Sequence, residues 1–185
     1  MTAALARPGD PASGRRSHYG KYRGTVFNNL DPEQRGRIMA VVPDVLGVVP
    51  SSWALPCVPF AGKQEGFFAV PQIGAAVWIE FEQGDPDYPI WTGGFWGAFA
   101  EVPVTALVPP PLPLGQTVAI QTTLGSLLLV SDAPPTPLSG GVVLRSGGAS
   151  ITVNASGIYI TNGQGAALMM VGTTVTVNDG ALMVL

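Results

Sequence analysis

Charge is scarce in this 185-residue chain: 11% of its residues are Asp, Glu, Lys or Arg, and the net charge is −3. The basic field that tracks a phosphate backbone is missing, which argues against a general nucleic-acid binder. Cysteine is reduced to Cys57, which excludes an internal disulfide framework and a multi-cysteine zinc site. Histidine is reduced to His18, so a Ser/His/Asp triad or a histidine metal centre has a single candidate member. Long apolar runs are missing too. The longest greasy stretch, Ala98 to Leu114, contains Glu101 and five prolines and cannot form a continuous membrane-spanning helix. The N-terminus lacks the apolar core of a secretory signal. Met1 to Tyr19 is rich in Pro, Gly and Arg and reads as a flexible arm, so the chain is expected to be made in the cytoplasm without Sec export.

Apolar residues, by contrast, are plentiful at 46%, alongside 24 Gly and 18 Pro. Global disorder needs low hydrophobicity with high net charge, and neither holds. The few charges are unevenly spread. Residues 1–101 carry eight of the nine Lys/Arg and ten of the twelve Asp/Glu, whereas residues 102–185 carry only Asp132, Arg145 and Asp179. So apolar a stretch cannot remain uncovered as a small soluble monomer. Two different segments share the chain.

In the first segment strand signals dominate. Strands are expected at Gly20 to Asn28, Gly36 to Pro43, Phe67 to Val70, Ala76 to Glu82 and Pro89 to Phe95, with a short piece from Trp53 to Pro56. Ile38, Ala40 and Val42 share one face; Val77, Ile79 and Phe81 form another, opposite Trp78, Glu80 and Glu82. Asn29-Leu30-Asp31-Pro32-Glu33 reads as a turn, and Ala61 to Gly66 as a Gly-containing loop. Five or six short strands with Gly/Pro turns suit a small closed barrel of the oligonucleotide/oligosaccharide-binding (OB) type. Trp78, Trp91 and Trp96 are expected to fill the interior or a subunit contact, because a stacking platform without Lys/Arg neighbours holds a phosphate backbone poorly. Glu80 and Glu82 fit an exposed strand face better than a catalytic pair, and Asp85 and Asp87 fit a turn. With no histidine nearby to activate it, Cys57 is expected to be a small buried thiol.

In the second segment, residues 100–115 form a proline-rich connector, expected to be extended and semi-rigid. Eight short runs follow: Gln116–Thr122, Ser126–Ser131, Gly141–Ser146, Ser150–Asn154, Gly157–Thr161, Ala167–Val171, Thr173–Asn178 and Ala181–Leu185. A loop around Pro134 to Pro137 separates the second run from the third. Period-2 alternation places Ile151 with Val153, Ile158 with Ile160, and Val175 with Val177, while Thr and Tyr point the other way. Such runs imply a repetitive β-structure too thin to bury its own faces. Three chains about one axis would bury one apolar face per strand, and would account for the apolar end Ala181-Leu182-Met183-Val184-Leu185.

The string Gly24-Thr25-Val26…Asn28…Asp31-Pro32…Gly36-Arg37-Ile38…Val41-Val42-Pro43 resembles the N-terminal barrel of contractile-tail spike proteins, the phage baseplate assembly protein V and VgrG-like spike family. The resemblance continues through Trp53-Ala54…Pro56-Cys57, Pro71…Ile73-Gly74, Val77 to Glu82, Gly84-Asp85, Pro89, Trp91 and Gly93. It implies an all-β chain: an arm (1–18), an OB-fold barrel (19–99), the connector (100–115) and an intertwined trimeric β-helix or β-prism needle (116–185). The implied role is structural and non-enzymatic: a homotrimeric spike that docks on a hub below the tail tube and punctures an envelope. Trp78, Trp91 and Trp96 become candidate hub or trimer contacts, and Met183, Val184 and Leu185 the seat of a PAAR-repeat tip protein. Other baseplate subunits are further expected partners, and nucleic acid is not one. Some family members carry a muramidase between barrel and needle, or a His-x-His metal apex. This chain has neither, so no catalytic residue, metal or cofactor is expected. It is also too short to carry the hub rings, so a separate hub protein is expected. Two rival readings are an OB-fold module that binds nucleic acid or glycan, and an enzyme such as a cell-wall hydrolase, which would require a carboxylate pair in a cleft.

Overall fold

A computed structural model describes residues 16–107, 117–132 and 140–184. The first fifteen residues of the arm, the prolines at 109–113, the Pro134 to Pro137 loop and Leu185 lie outside the described residues, as do the side chains of Met183 and Val184. The chain divides after Gly97 into two compact units.

In the first unit β1 (Tyr22–Asn28), β2 (Met39–Val41), β3 (Leu55–Pro56), β6 (Ala76–Phe81) and β7 (Pro89–Gly94) form one sheet in the order β2-β1-β6-β7-β3. Neighbours are antiparallel except β3 and β7, which run parallel. The two edges meet just before β2 and β3. There Ile38 and Ala54 exchange reciprocal backbone hydrogen bonds of 3.2 and 2.7 Å, and Ser51 N–H donates to the Ala40 carbonyl at 2.8 Å. These few bonds close the sheet into an OB-fold barrel and leave it without a free edge at that point.

Alternation explains the core. Val77, Ile79 and Phe81 of β6 point inward and meet Val26, Ile38, Ala40, Val42, Ala54 and Trp91, all buried. Ser51 is the polar member of this interior, and its Oγ accepts from Ala40 N–H at 3.1 Å. Gly24 sits where β1 crosses β6 and β2. A Cβ there would lie 3.0 Å from Ile79 Cγ1 and 3.3 Å from the Val41 carbonyl oxygen, closer than ordinary packing.

Several local expectations are corrected. Phe67 to Val70 is not a strand; the stretch read as a loop is instead a hairpin of β4 (Ala61–Gly62) and β5 (Glu65–Gly66). Gln64, at φ 62°, supplies the left-handed residue of its two-residue turn. Cys57 is exposed, not buried. Ala54 faces the core, so the period-2 alternation past it turns Leu55 and Cys57 outward. His18, assigned to the arm, is tied to the barrel. Its N–H donates to the Gly84 carbonyl at 2.8 Å, and its ring lies edge-on to Tyr22 and Phe81.

The second unit opens with two short 3-10 turns, Phe99–Glu101 and Val104–Ala106, where an extended connector was expected. The second turn packs on β8 (Thr117–Gln121), with Thr105 Oγ1 hydrogen-bonded to Gln121 Oε1. Then follow β9 (Leu127–Ser131), β10 (Gly141–Ser146), β11 (Ala149–Asn154), β12 (Gly157–Thr161), β13 (Ala167–Val171), β14 (Thr174–Val177) and β15 (Leu182–Val184). Each of the eight strands pairs antiparallel with its neighbours in sequence, giving a single meander. The turns use the chemistry their lengths demand. Gly147-Gly148 makes a two-residue connection, and Asn154 Oδ1 accepts from the N–H groups of Ser156 and Gly157 at 2.9 and 3.1 Å.

Candidate functional site

The register of the meander aligns its side chains into rows. One row on the first face runs Val118, Val130, Val142, Val153, Ile158, Met170, Val175 across β8 to β14. The other runs Ile120, Leu128, Leu144, Ile151, Ile160, Leu168, Val177, Leu182 across β8 to β15. Every rung of both ladders is apolar. Most stay open to solvent: Val118 is 66% exposed, Leu144 46% and Leu182 58%. An open aliphatic band of this extent marks an association surface. Burying what remains exposed contributes on the order of 1 kcal/mol per side chain.

The opposite face divides. On β9 and β10 it carries Leu127, Leu129 and Val143, which are buried. From β11 onward it carries Ser150, Thr152, Tyr159, Thr161, Thr174 and Thr176, interrupted on β13 by Ala167, Met169 and Val171. The face opposite the ladders is therefore mixed, with polar Thr117, Gln121, Ser131 and Arg145 beside the buried Leu127, Leu129 and Val143. Beyond the apolar ladders, β15 pairs with β14 alone, so its second backbone edge is free of strand partners within the sheet. The expected tip seat, Met183 and Val184, falls on this strand; their side chains and Leu185 lie outside the described residues.

On the barrel the three candidate tryptophans separate. Trp91 is turned inward at 7% exposure, and its Nε1 donates to the Gly36 carbonyl at 3.0 Å. Trp78 faces outward, its ring 4.7 Å from that of Phe95 and tilted 39° to it, with the Arg23 guanidinium over both rings. Trp96 is 63% exposed. They do not form one surface. Glu80 is held by Lys21 Nζ at 2.8 Å, and Lys21 also donates to Thr92 Oγ1, which fits the structural reading of that strand face.

The strongest polar feature was read only as a turn. The Asp31 carboxylate accepts backbone N–H bonds from Glu33, Arg35 and Arg37 at 3.0, 2.8 and 3.2 Å. It also takes both Nε and Nη2 of Arg37, at 3.0 and 2.6 Å. The Arg37 guanidinium holds the Asp31 carboxyl far below the usual carboxylate range, and the three backbone donors reinforce it against the opposing effect of burial. Arg37 is completed by Glu33 at 3.1 Å and lies over the Trp53 ring. This knot fixes the loop from β1 to β2 and delivers Ile38 to the bridge that closes the barrel. Among the described residues no cluster of His, Cys, Asp or Glu has a metal-holding arrangement, and no helix is long and apolar enough to cross a membrane.

Residues 22–96 match the model of the Type VI secretion system/phage-baseplate injector OB domain. Residues 117–183 match the phage baseplate V C-terminal trimerisation domain. The chain belongs to the phage baseplate V and VgrG-like spike family. Its aliphatic ladders thus lie within a trimerisation domain, and its barrel is an injector OB domain. A curated relative, the actin cross-linking toxin VgrG1 of Vibrio cholerae serotype O1, is 46% identical over 55 residues, which is 30% of this chain and 5% of that protein. Both matched models describe baseplate domains, one of the type VI secretion system/phage-baseplate injector and one of phage baseplate V.

Proposed function

We propose that the protein is the central spike of a contractile injection system, attached to a hub at the end of the tail tube and driven through the target envelope when the sheath contracts. The observation that carries this reading is the pairing of an injector OB domain with a trimerisation domain whose aliphatic face stays open in one chain. Three copies cover that face and give a fully hydrogen-bonded needle that resists bending. The barrel, about residues 19–99, supplies the hub contact. Trp78 and Trp96 present outward surface for it, and Trp91 supports the wall from within. The sheet, about residues 116–185, is the needle. Its last strand, with Met183, Val184 and Leu185, seats a tip protein of the PAAR-repeat type. Other baseplate subunits flank the spike, the envelope is met only transiently, and the role is mechanical rather than catalytic.

Electron microscopy of particles with and without this gene tests the proposal. The expected result is loss of axial density below the tube, with loss of puncture of target cells. Intact axial density and unchanged puncture without the chain would overturn it.

A further inference from the structure

The two ladders differ in size. The first is mostly valine and the second almost wholly leucine and isoleucine. On β8 to β11 each strand gives one valine to the first ladder and one Leu or Ile to the second. The chain reverses direction at every strand, so keeping valine on one side requires the order in sequence to reverse as well. It does: Val118 precedes Ile120, Leu128 precedes Val130, Val142 precedes Leu144, and Ile151 precedes Val153. Side-chain size is therefore tied to a side of the sheet, not to a repeated motif.

We propose that the Leu/Ile ladder of one copy packs against the Val ladder of the next, with all copies parallel and in register. The inference rests on the trimeric reading of this sheet and adds which rows meet. Rotating the sheet about its stacking direction brings the second ladder of each copy beside the first ladder of its neighbour at every contact, a head-to-tail interface that closes into a ring. On β8 to β11 each contact then sums one large and one small side chain to a nearly constant volume; on β12 to β14 the facing pairs are Ile158 with Ile160, Met170 with Leu168 and Val175 with Val177. Packing like against like would crowd Leu against Leu and leave a gap between valines, and both faults are destabilising in a close-packed interior. The occupant of the open face is thus a second copy of this chain, level with the first, and each layer holds six side chains from three copies of one strand.

Cysteine pairs test this. In a Cys57→Ser background, Val142→Cys and Leu144→Cys are made separately and together, and a trimeric mass, three times 19.1 kDa, is required by light scattering before oxidation. Residues two apart on one strand face stand about 6.5–7 Å apart, beyond the roughly 3.8 Å between Cβ atoms of a disulfide, so linkage within one chain is excluded. The double variant is expected to run as a reducible covalent trimer on a non-reducing gel, and each single variant as a monomer. The same set at Ile151 and Val153 repeats the test one strand further, should the first pair prevent folding. Dimers from either single variant, or a trimeric double variant that does not crosslink, would overturn the ladder pairing while leaving the trimer standing. A monomeric parent chain would overturn the trimeric reading and this inference with it.

Discussion

The barrel and the C-terminal sheet use the same apolar residue types in opposite ways. In the barrel, Val26, Ile38, Val42, Val77 and Ile79 are sealed inside one chain, because the sheet curls until its edges meet at Ile38 and Ala54. In the meander the equivalent alternation lays its valines and leucines along an open face that no neighbouring strand can reach. A closed sheet supplies its own second wall; an open one must take it from another molecule. Charge follows the same division. The barrel spends surface on ion pairs such as Lys21–Glu80, whereas residues 102–185 hold three charges in all.

The contrast breaks most sharply at the exposed ladder. Leu144→Asp places three charges, one from each copy, in the β10 layer of the assembled face, and the mass is expected to fall from trimer to monomer while the barrel's near-ultraviolet circular dichroism persists. Survival of the trimer would mean that this face is not the interface. Ile79→Ala is the converse. It opens a cavity in the barrel, costing about 2–5 kcal/mol in chemical denaturation, and the trimeric mass is expected to stand. A third experiment separates the units by pH. Asp31 binds its proton less readily folded than unfolded, so its stabilisation is complete above about pH 5 and drains away as the pH falls below about 4. Barrel stability in the parent should therefore decline on acidification, and Asp31→Asn should lower it at neutral pH and flatten that decline. An equally steep decline in the variant would assign the acid sensitivity elsewhere. The smallest effect is expected at Cys57. The native thiol should react readily with a soluble thiol reagent, and Cys57→Ser should shift stability by no more than about 0.5 kcal/mol. A protected thiol would place it back inside.

Strand existence was legible because period-2 alternation is local. Ile38, Ala40 and Val42, or Val77, Ile79 and Phe81, announce an inward face within a few residues, and the β8 to β15 runs are separated by turns with clear chemistry. What the alternation could not reveal was which residue faces which across a turn. The ladders exist only once Val130 is known to oppose both Val118 and Val142. The same limit hid the features that hold the barrel together. Asp31 and Arg37 read as turn and strand residues separately, and the Ile38–Ala54 bridge is a single long-range pair with no motif of its own. Ala61 to Gly66 was misread because glycine suggests a loop wherever it appears, although Gly62 and Gly66 here lie in paired strands. Nor did the distribution of Trp residues in the sequence separate Trp91, hydrogen-bonded in the interior, from Trp78 and Trp96 on the surface.

One further consequence belongs to the alternating order of Val and Leu/Ile along the meander. Inserting or deleting a whole hairpin, such as β10 with β11, changes the ladder by two rungs, about 9–10 Å, and leaves every later residue on its original side. Inserting or deleting a single strand would reverse all later strands and exchange the two ladders beyond that point. Length in this architecture is therefore quantised. It can be lengthened or shortened over evolutionary time in steps of two strands, like a ruler cut only at even marks.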